Sequence, residues 1–215
     1  MNDDFKPSIA ELIGTFILVF IGAGAGALGS GGIVGVALAH GIAVTVIVYT
    51  VGAVSGAHVN PAVTFGVAVA GKIEWRRAVW YWIAQVIGAV LAALVLLFVL
   101  GGQSGNLGAT TLGSGTSPIQ GVVIEAVLTV FLMMSVLVSG VLGKNGNLAG
   151  VAIGFVLIMD ILMGGSLTGA SMNPARTLGP AIVMGNFADL WVYLVGPLAG
   201  GAIAAGLIRY LYRGE

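Results

Sequence analysis

The charged positions of this chain are 3, 4, 6, 11, 72, 74, 76, 77, 125, 144, 160, 176, 189, 209, 213 and 215, and uncharged runs from 12 to 71 and from 78 to 124 separate them. A helix needs about 20 apolar residues to cross a bilayer core. Six stretches suit that length: Ile9–Leu28, Ile33–Val54, Ala78–Leu100, Ile119–Leu142, Leu148–Gly164 and Leu190–Leu211. Two shorter apolar pieces remain, from Asn60 to about Ala70 and from Asn173 to about Val183. Each spans about 15 Å as helix, half of a hydrocarbon core of about 30 Å. Both open on the triplet Asn-Pro-Ala. Asn60 and Asn173 suit an N-cap, and Pro61 and Pro174 suit the first helical position, ahead of Ala62 and Ala175. The pattern predicts an all-α membrane protein with six transmembrane helices and two re-entrant half-helices. A plain Asn-Pro turn is the competing account of either triplet taken alone.

The basic residues favour the same count. With two re-entrant pieces, Lys6, Lys72, Arg76, Arg77, Lys144, Arg209 and Arg213 all fall on one face, while the loops Gly29–Gly32 and Gly101–Pro118 on the other hold none. Cytoplasmic loops are rich in Lys and Arg, so both termini are expected in the cytoplasm, with the cell membrane as the location. Full crossings by the short pieces would move Lys72, Arg76 and Arg77 outside. The first stretch carries Glu11, has one basic residue ahead of it and lacks a cleavage site in a polar region, so a retained helix is expected.

Composition narrows the function. Charged residues make up 7% of the chain and hydrophobic residues 58%, with a mean hydropathy of +1.08. A soluble domain carries about 25% charged residues, so a soluble enzyme is excluded. Cysteine is absent, which removes disulfides and thiolate metal sites. Two His and eight acids are too few for a dedicated metal site, and nothing in the sequence calls for a cofactor. The zero net charge offers nucleic acid no basic surface.

The chain also repeats itself within one domain, 1–215. Glu11-Leu-Ile-Gly-Thr-Phe resembles Glu125-Ala-Val-Leu-Thr-Val at an offset of 114. Ser55-Gly-Ala-His-Val-Asn-Pro-Ala-Val-Thr resembles Thr168-Gly-Ala-Ser-Met-Asn-Pro-Ala-Arg-Thr at an offset of 113. Repeat one covers about 8–100 and repeat two about 119–211. Three spans per repeat is an odd number, so the second repeat is inverted and the half-helices enter from opposite faces to meet near the midplane. Gly41 and Gly154 are expected to mark close helix crossings.

Paired Asn-Pro-Ala triplets in an inverted three-plus-three repeat, with Arg176 after the second, resemble the aquaporin (major intrinsic protein) family from Glu11 to Pro197. The resemblance implies a right-handed bundle, a pore in each subunit and a homotetramer in a lipid bilayer. It implies passive permeation of water, with ammonia and other small neutral solutes, and exclusion of protons and ions. Two half-helix N-termini repel a cation at the pore centre, a barrier known for aquaporin-type pores. The amides of Asn60 and Asn173 can donate to a passing oxygen. The non-helical approaches Gly56-Ala57-His58 and Gly169-Ala170-Ser171 would supply carbonyl acceptors along the pore. By spacing from the triplets, the family's selectivity filter falls at His40, Ile161, Ala170 and Arg176. That set resembles plant tonoplast intrinsic members, and its Ile is also seen in an archaeal branch. The competing account of Arg176 is a packing role satisfied by buried carbonyls, and that of His40 is a packed helix histidine. His58 is expected to hold its loop.

Glycerol-conducting relatives usually place Asp and a basic residue where this chain has Thr177 and Ala181, which argues against the alternative of a glycerol or small-polyol facilitator. Only half of the aromatic pair of water channels is kept, as Tyr193-Leu194. An ion-coupled transporter would need a titratable cluster at the midplane, and Asp160 is its lone candidate. A non-conducting junction protein of the same fold is a third account, against which Asn60, Asn173 and Arg176 stand. Glu11 and Glu125, at equivalent places in the repeats, are expected to be structural acids that accept from backbone N–H groups of the re-entrant loops. Asp160 is expected to face a helix interface behind the filter, hydrogen-bonded or protonated, with partners near His40 and Thr45 or in Thr168–Ser171.

Overall fold

The computed structural model describes residues 4–213, and the following statements concern those residues. Six long apolar helices are present: α1 (Phe5–Ala27), α2 (Gly32–Ser55), α4 (Trp75–Val99), α5 (Pro118–Val141), α6 (Ala149–Thr168) and α8 (Leu190–Leu211). Between them lie two short helices, α3 (Pro61–Val69) and α7 (Pro174–Met184). Among the described residues there is no strand. The expected six spans and two half-helices are thus the observed elements.

Helix ends differ from the hydropathy pattern for local reasons. Helix α4 starts at Trp75, ahead of the expected Ala78, and so includes Arg76 and Arg77. Both are held by the buried Asp4 just before α1, Arg76 Nη2 at 2.7 Å and Arg77 Nε at 2.9 Å. Helix α6 runs on past Gly164 to Thr168, where Gly169 ends it with φ +79. The polar Thr168 hydroxyl that would suggest a loop instead donates to Glu125 at 2.7 Å. The last turns of α1 and α5 contain π-helical runs, Val19–Ala23 and Val136–Val141.

Packing follows the repeat. Helix α1 lies along α4, α5 lies along α8, and α2 crosses α6 between the two halves. Each half-helix packs on the third span of the other repeat, α3 on α8 and α7 on α4. In lipid, helices associate through close backbone approach rather than through apolar burial, so small residues mark the contacts. A β-carbon on Gly41 would stand 2.6 Å from the Gly154 carbonyl oxygen, and one on Gly154 would stand 2.5 Å from that of Gly41. The repeats share a second such pair: a β-carbon on Gly88 or Gly200 would lie 2.3 Å from the carbonyl oxygen of Leu12 or Ala126 respectively. Outward faces are apolar along each span, with Ile42, Ile83, Phe131, Phe155 and Ile203 all exposed.

Candidate functional site

The site is built from two cap residues. Asn60 is extended, with φ −160 and ψ 120, and its Oδ1 accepts from Ala62 N at 2.8 Å. Asn173 is similarly extended, and its Oδ1 accepts from Ala175 N and Arg176 N. Capping turns each amide nitrogen away from its own helix. Asn60 Nδ2 donates to the Met172 carbonyl at 2.8 Å, and Asn173 Nδ2 donates to the Val59 carbonyl at 2.9 Å. The two half-helices therefore meet end to end, each tied by its cap to the loop leading into the other. An amide NH₂ has two hydrogens, and each of these uses one in that tie. Asn60 and Asn173 both line one cavity within the bundle.

The loops into the half-helices have matching backbones. Gly56, Ala57 and Val59 have positive φ, as do Gly169, Ala170 and Met172. Left-handed conformations at Ala and Val cost about 1–3 kcal/mol each, so other bonds must hold them. Two buried carboxylates supply those bonds. Glu11 Oε1 accepts from the Ser55 hydroxyl at 2.6 Å and from His58 N at 2.9 Å, while Oε2 accepts from Val59 N at 2.6 Å and Gln85 Nε2 at 2.7 Å. Glu125 repeats this: Oε1 accepts from the Thr168 hydroxyl at 2.7 Å and Ser171 N at 2.9 Å, and Oε2 accepts from Met172 N at 2.6 Å. A tyrosine hydroxyl secures each loop entrance, Tyr81 on the Ser55 carbonyl and Tyr193 on the Thr168 carbonyl. Sequence reasoning missed Ser55, Thr168, Tyr81, Gln85, Thr64 and the hydroxyl role of Thr177. The available signal was the repeat itself, which aligns Ser55 with Thr168 and Thr64 with Thr177 at the same offset of 113.

With N–H groups consumed inward, the loop carbonyls face elsewhere. Among the described residues, no hydrogen bond uses the carbonyl of Gly56, Ala57, His58, Gly169, Ala170 or Ser171. Five of these six residues border the cavity; Gly169 does not, and packs against Thr110 instead. His58 also braces its loop, with Nδ1 3.1 Å from the Thr64 hydroxyl and its ring edge-on to Tyr81. At the matching place, the Ser171 hydroxyl lies 2.6 Å from that of Thr177.

The cavity has a volume of about 110 Å³. Its walls are chiefly apolar, from Leu18, Val44, Val63, Leu132, Ile153 and Leu157, and its polar points are His40, His58, Asn60, Ser171, Asn173 and Arg176. Of the four expected filter residues, His40, Ala170 and Arg176 border it. Ile161 is buried, 2% exposed, and is not among the bordering residues. His40 Nδ1 is 2.9 Å from the Val36 carbonyl, which leaves Nε2 for another partner. Arg176 Nη1 donates to the Gly108 carbonyl at 2.7 Å. Gly108 ends a run of left-handed residues, Gly105, Asn106, Leu107 and Gly108, in the loop between the two repeats.

Of the two states expected of Asp160, the hydrogen-bonded one is not found among the described residues. The residue is buried in α6, 1% exposed, yet neither carboxyl oxygen has a hydrogen-bond partner. The three hydroxyls expected near it are engaged elsewhere. The Thr45 hydroxyl donates to the carbonyls of Gly41 and Gly150, and those of Thr168 and Ser171 serve the re-entrant loop. Among the described residues, no group of three His, Cys, Asp or Glu side chains could hold a metal ion.

Two half-helices joined at their N-termini inside an apolar bundle, with a narrow cavity past both caps, define a membrane channel made from an inverted repeat. Residues 2–209 match the Major intrinsic protein family, and the chain belongs to that family. It is 43% identical to Aquaporin TIP1-2 of Zea mays, over 99% of this chain and 88% of that one. It is 45% identical to Aquaporin NIP1-1 of Zea mays, over 94% of this chain and 74% of the relative. The X-ray structure of the aquaglyceroporin from Plasmodium falciparum superposes with a TM-score of 0.88 at 26% identity, covering 98% of this chain and 97% of that one. The protein is a passive channel for water and small solutes, and not an enzyme.

Proposed function

We propose that the pore conducts water, and with it ammonia and other small neutral solutes, while excluding protons and ions. The observation that carries this is the reciprocal tie of Asn60 and Asn173 at opposed helix N-termini. Each N-terminus carries about half a positive charge, so a cation between them meets two repelling ends. A water oxygen that accepts from the free amide hydrogens turns its own hydrogens outward, which interrupts a chain of proton hops. Apolar walls give few sites on which a solute could linger. His40, Ile161, Ala170 and Arg176 form the selectivity filter in this proposal. Arg176 donates to permeants and repels cations there; the cavity lining by three of the four supports this assignment. The scaffold role of Glu11 and Glu125 is supported by the donors around each carboxylate.

The collection of Lys6, Lys72, Arg76, Arg77, Lys144, Arg209 and Arg213 on one face supports cytoplasmic termini in a cell membrane. A homotetramer is proposed on the family's habit, with the apolar outer faces available for it. The test is stopped-flow light scattering on proteoliposomes with water, glycerol, urea and ammonia gradients in parallel. Water permeability well above that of empty vesicles is expected, with a pH gradient that decays no faster than in empty vesicles. Osmotic permeability equal to the empty control would end the water proposal, and a faster pH decay would end the exclusion proposal. Glycerol permeability matching that of water would favour the polyol alternative, against which Thr177 and Ala181 stand.

A further inference from the structure

Helices α3, α5 and α8 all finish at one end of the bundle, and between their ends a second cavity of about 490 Å³ opens. It shares only Val141 with the pore lining. One wall is apolar and comes from the close of α5. There the Leu142 N–H donates to the Leu137 carbonyl at 2.8 Å, an i to i+5 bond of π type. That wider turn lets Leu137 and Leu142 stand on one wall with Val141 between them. The facing rim is cationic: Lys72 from the turn after α3, and Arg209 and Arg213 from the end of α8. Tyr210 and Tyr212 complete it, residues suited to a membrane–water interface.

These three cations differ from others on the same face. Arg76 and Arg77 are both engaged by Asp4. Among the described residues Lys72, Arg209 and Arg213 form no ion pair, and no acid borders their cavity. Balancing helix dipoles accounts for part of this charge. Three helix C-termini carry about half a negative charge each, so three full cations leave a clear positive surplus. A cationic rim over an apolar wall, at the edge of a membrane span, matches an amphiphile with an anionic head.

We propose that this cavity binds the phosphate head group of an anionic phospholipid, with the glycerol backbone and upper acyl chain against Leu137, Val141 and Leu142. Lys72, Arg209 and Arg213 hold the phosphate oxygens. Basic pockets at helix ends bind such head groups by the same electrostatics. The site meets the pore lining only at Val141, and lipid retention is read without any measure of conduction.

The test reconstitutes the full chain into vesicles of phosphatidylcholine and phosphatidylglycerol in equal parts. The protein is then extracted in mild detergent, and native mass spectrometry counts the lipids retained. Preferential retention of phosphatidylglycerol is expected, falling about fivefold for each of Lys72→Gln and Arg209→Gln. Lys6→Gln removes a charge at the start of α1, on the same face and outside the cavity, and should retain as much as the wild type. Equal loss in Lys6→Gln, or undiminished retention in the Lys72→Gln/Arg209→Gln pair, would overturn the proposal. The chosen cations are exposed, so folding is not at risk, and unchanged thermal unfolding in phosphatidylcholine alone checks this. Inorganic phosphate is added to the detergent-solubilised protein as a second arm. If it raises the unfolding temperature as much as phosphatidylglycerol does, the ligand is a soluble phosphate and the lipid assignment fails.

Discussion

A β-carbon on Gly22 would stand 2.5 Å from both Cδ2 and Nε2 of His40. The absence of a side chain at Gly22, within the π-helical turn of α1, is what seats the imidazole beside the pore. Gly22→Ala is expected to displace the ring into the lumen and lower osmotic permeability. Gly22→Ala/His40→Ala should recover it, because the clash then has no partner; stopped-flow measurement of the two variants checks this coupling. Asp160 is buried in α6 with no hydrogen-bond partner on either carboxyl oxygen. With no hydrogen bond to lose, an apolar group of similar size should be neutral or stabilising there. Thermal unfolding of Asp160→Val should therefore match or exceed the wild type, and Asp160→Asn should keep both assembly and water flux. A marked drop in melting temperature for Asp160→Val would show that the carboxyl has a partner, such as a buried water.

Between elements, the decisive contacts are backbone to backbone. Helices α2 and α6 touch where Gly41 and Gly154 face each other's carbonyls, and a β-carbon on Gly154 would also lie 2.1 Å from the Thr45 hydroxyl. Overpacking of this kind costs about 1–3 kcal/mol, so Gly154→Ala should lower the unfolding temperature and the yield of folded protein. Gly206→Ala is the matched control, since nothing lies within 4 Å of its added carbon. The re-entrant loops obey a related logic. In lipid an unpaired backbone N–H is costly, so each left-handed loop survives only because Glu11 or Glu125 collects its N–H groups. That leaves carbonyls as the groups free to meet permeants.

At the scale of the whole molecule, the inverted repeat explains how one sequence pattern makes two mouths and one centre. The twofold relation is not complete, and the differences fall near the filter. His58 of the first repeat corresponds to Ser171 of the second, and Val63 to Arg176. Only the second half-helix therefore puts a cation beside the pore, held by Gly108 of the long loop between repeats. His40→Phe together with Ile161→His would change both faces of the proposed filter. The ratio of ammonia to water permeability is expected to fall in that double variant, and an unaltered ratio would remove Ile161 and His40 from the filter.

Six spans, two half-helices and the inversion were all determined by the sequence, because hydrophobic length and charge spacing report directly on what a bilayer tolerates. The Asn-Pro-Ala caps and the paired acids Glu11 and Glu125 were legible for the same kind of reason: each is a local motif, repeated at a constant offset. Other features depended on parts of the chain distant in sequence. The tie of Asn60 to Met172 spans the two repeats, the seat of His40 depends on Gly22, and the anchor of Arg176 is Gly108 in a loop without hydropathy signal. The unpartnered state of Asp160 also became apparent only in three dimensions, since its nearby hydroxyls could be assigned to other acceptors only once helices had packed. Periodicity records which face of a helix is apolar, whereas hydrogen-bond choice among several buried groups is a competition that tertiary packing alone decides.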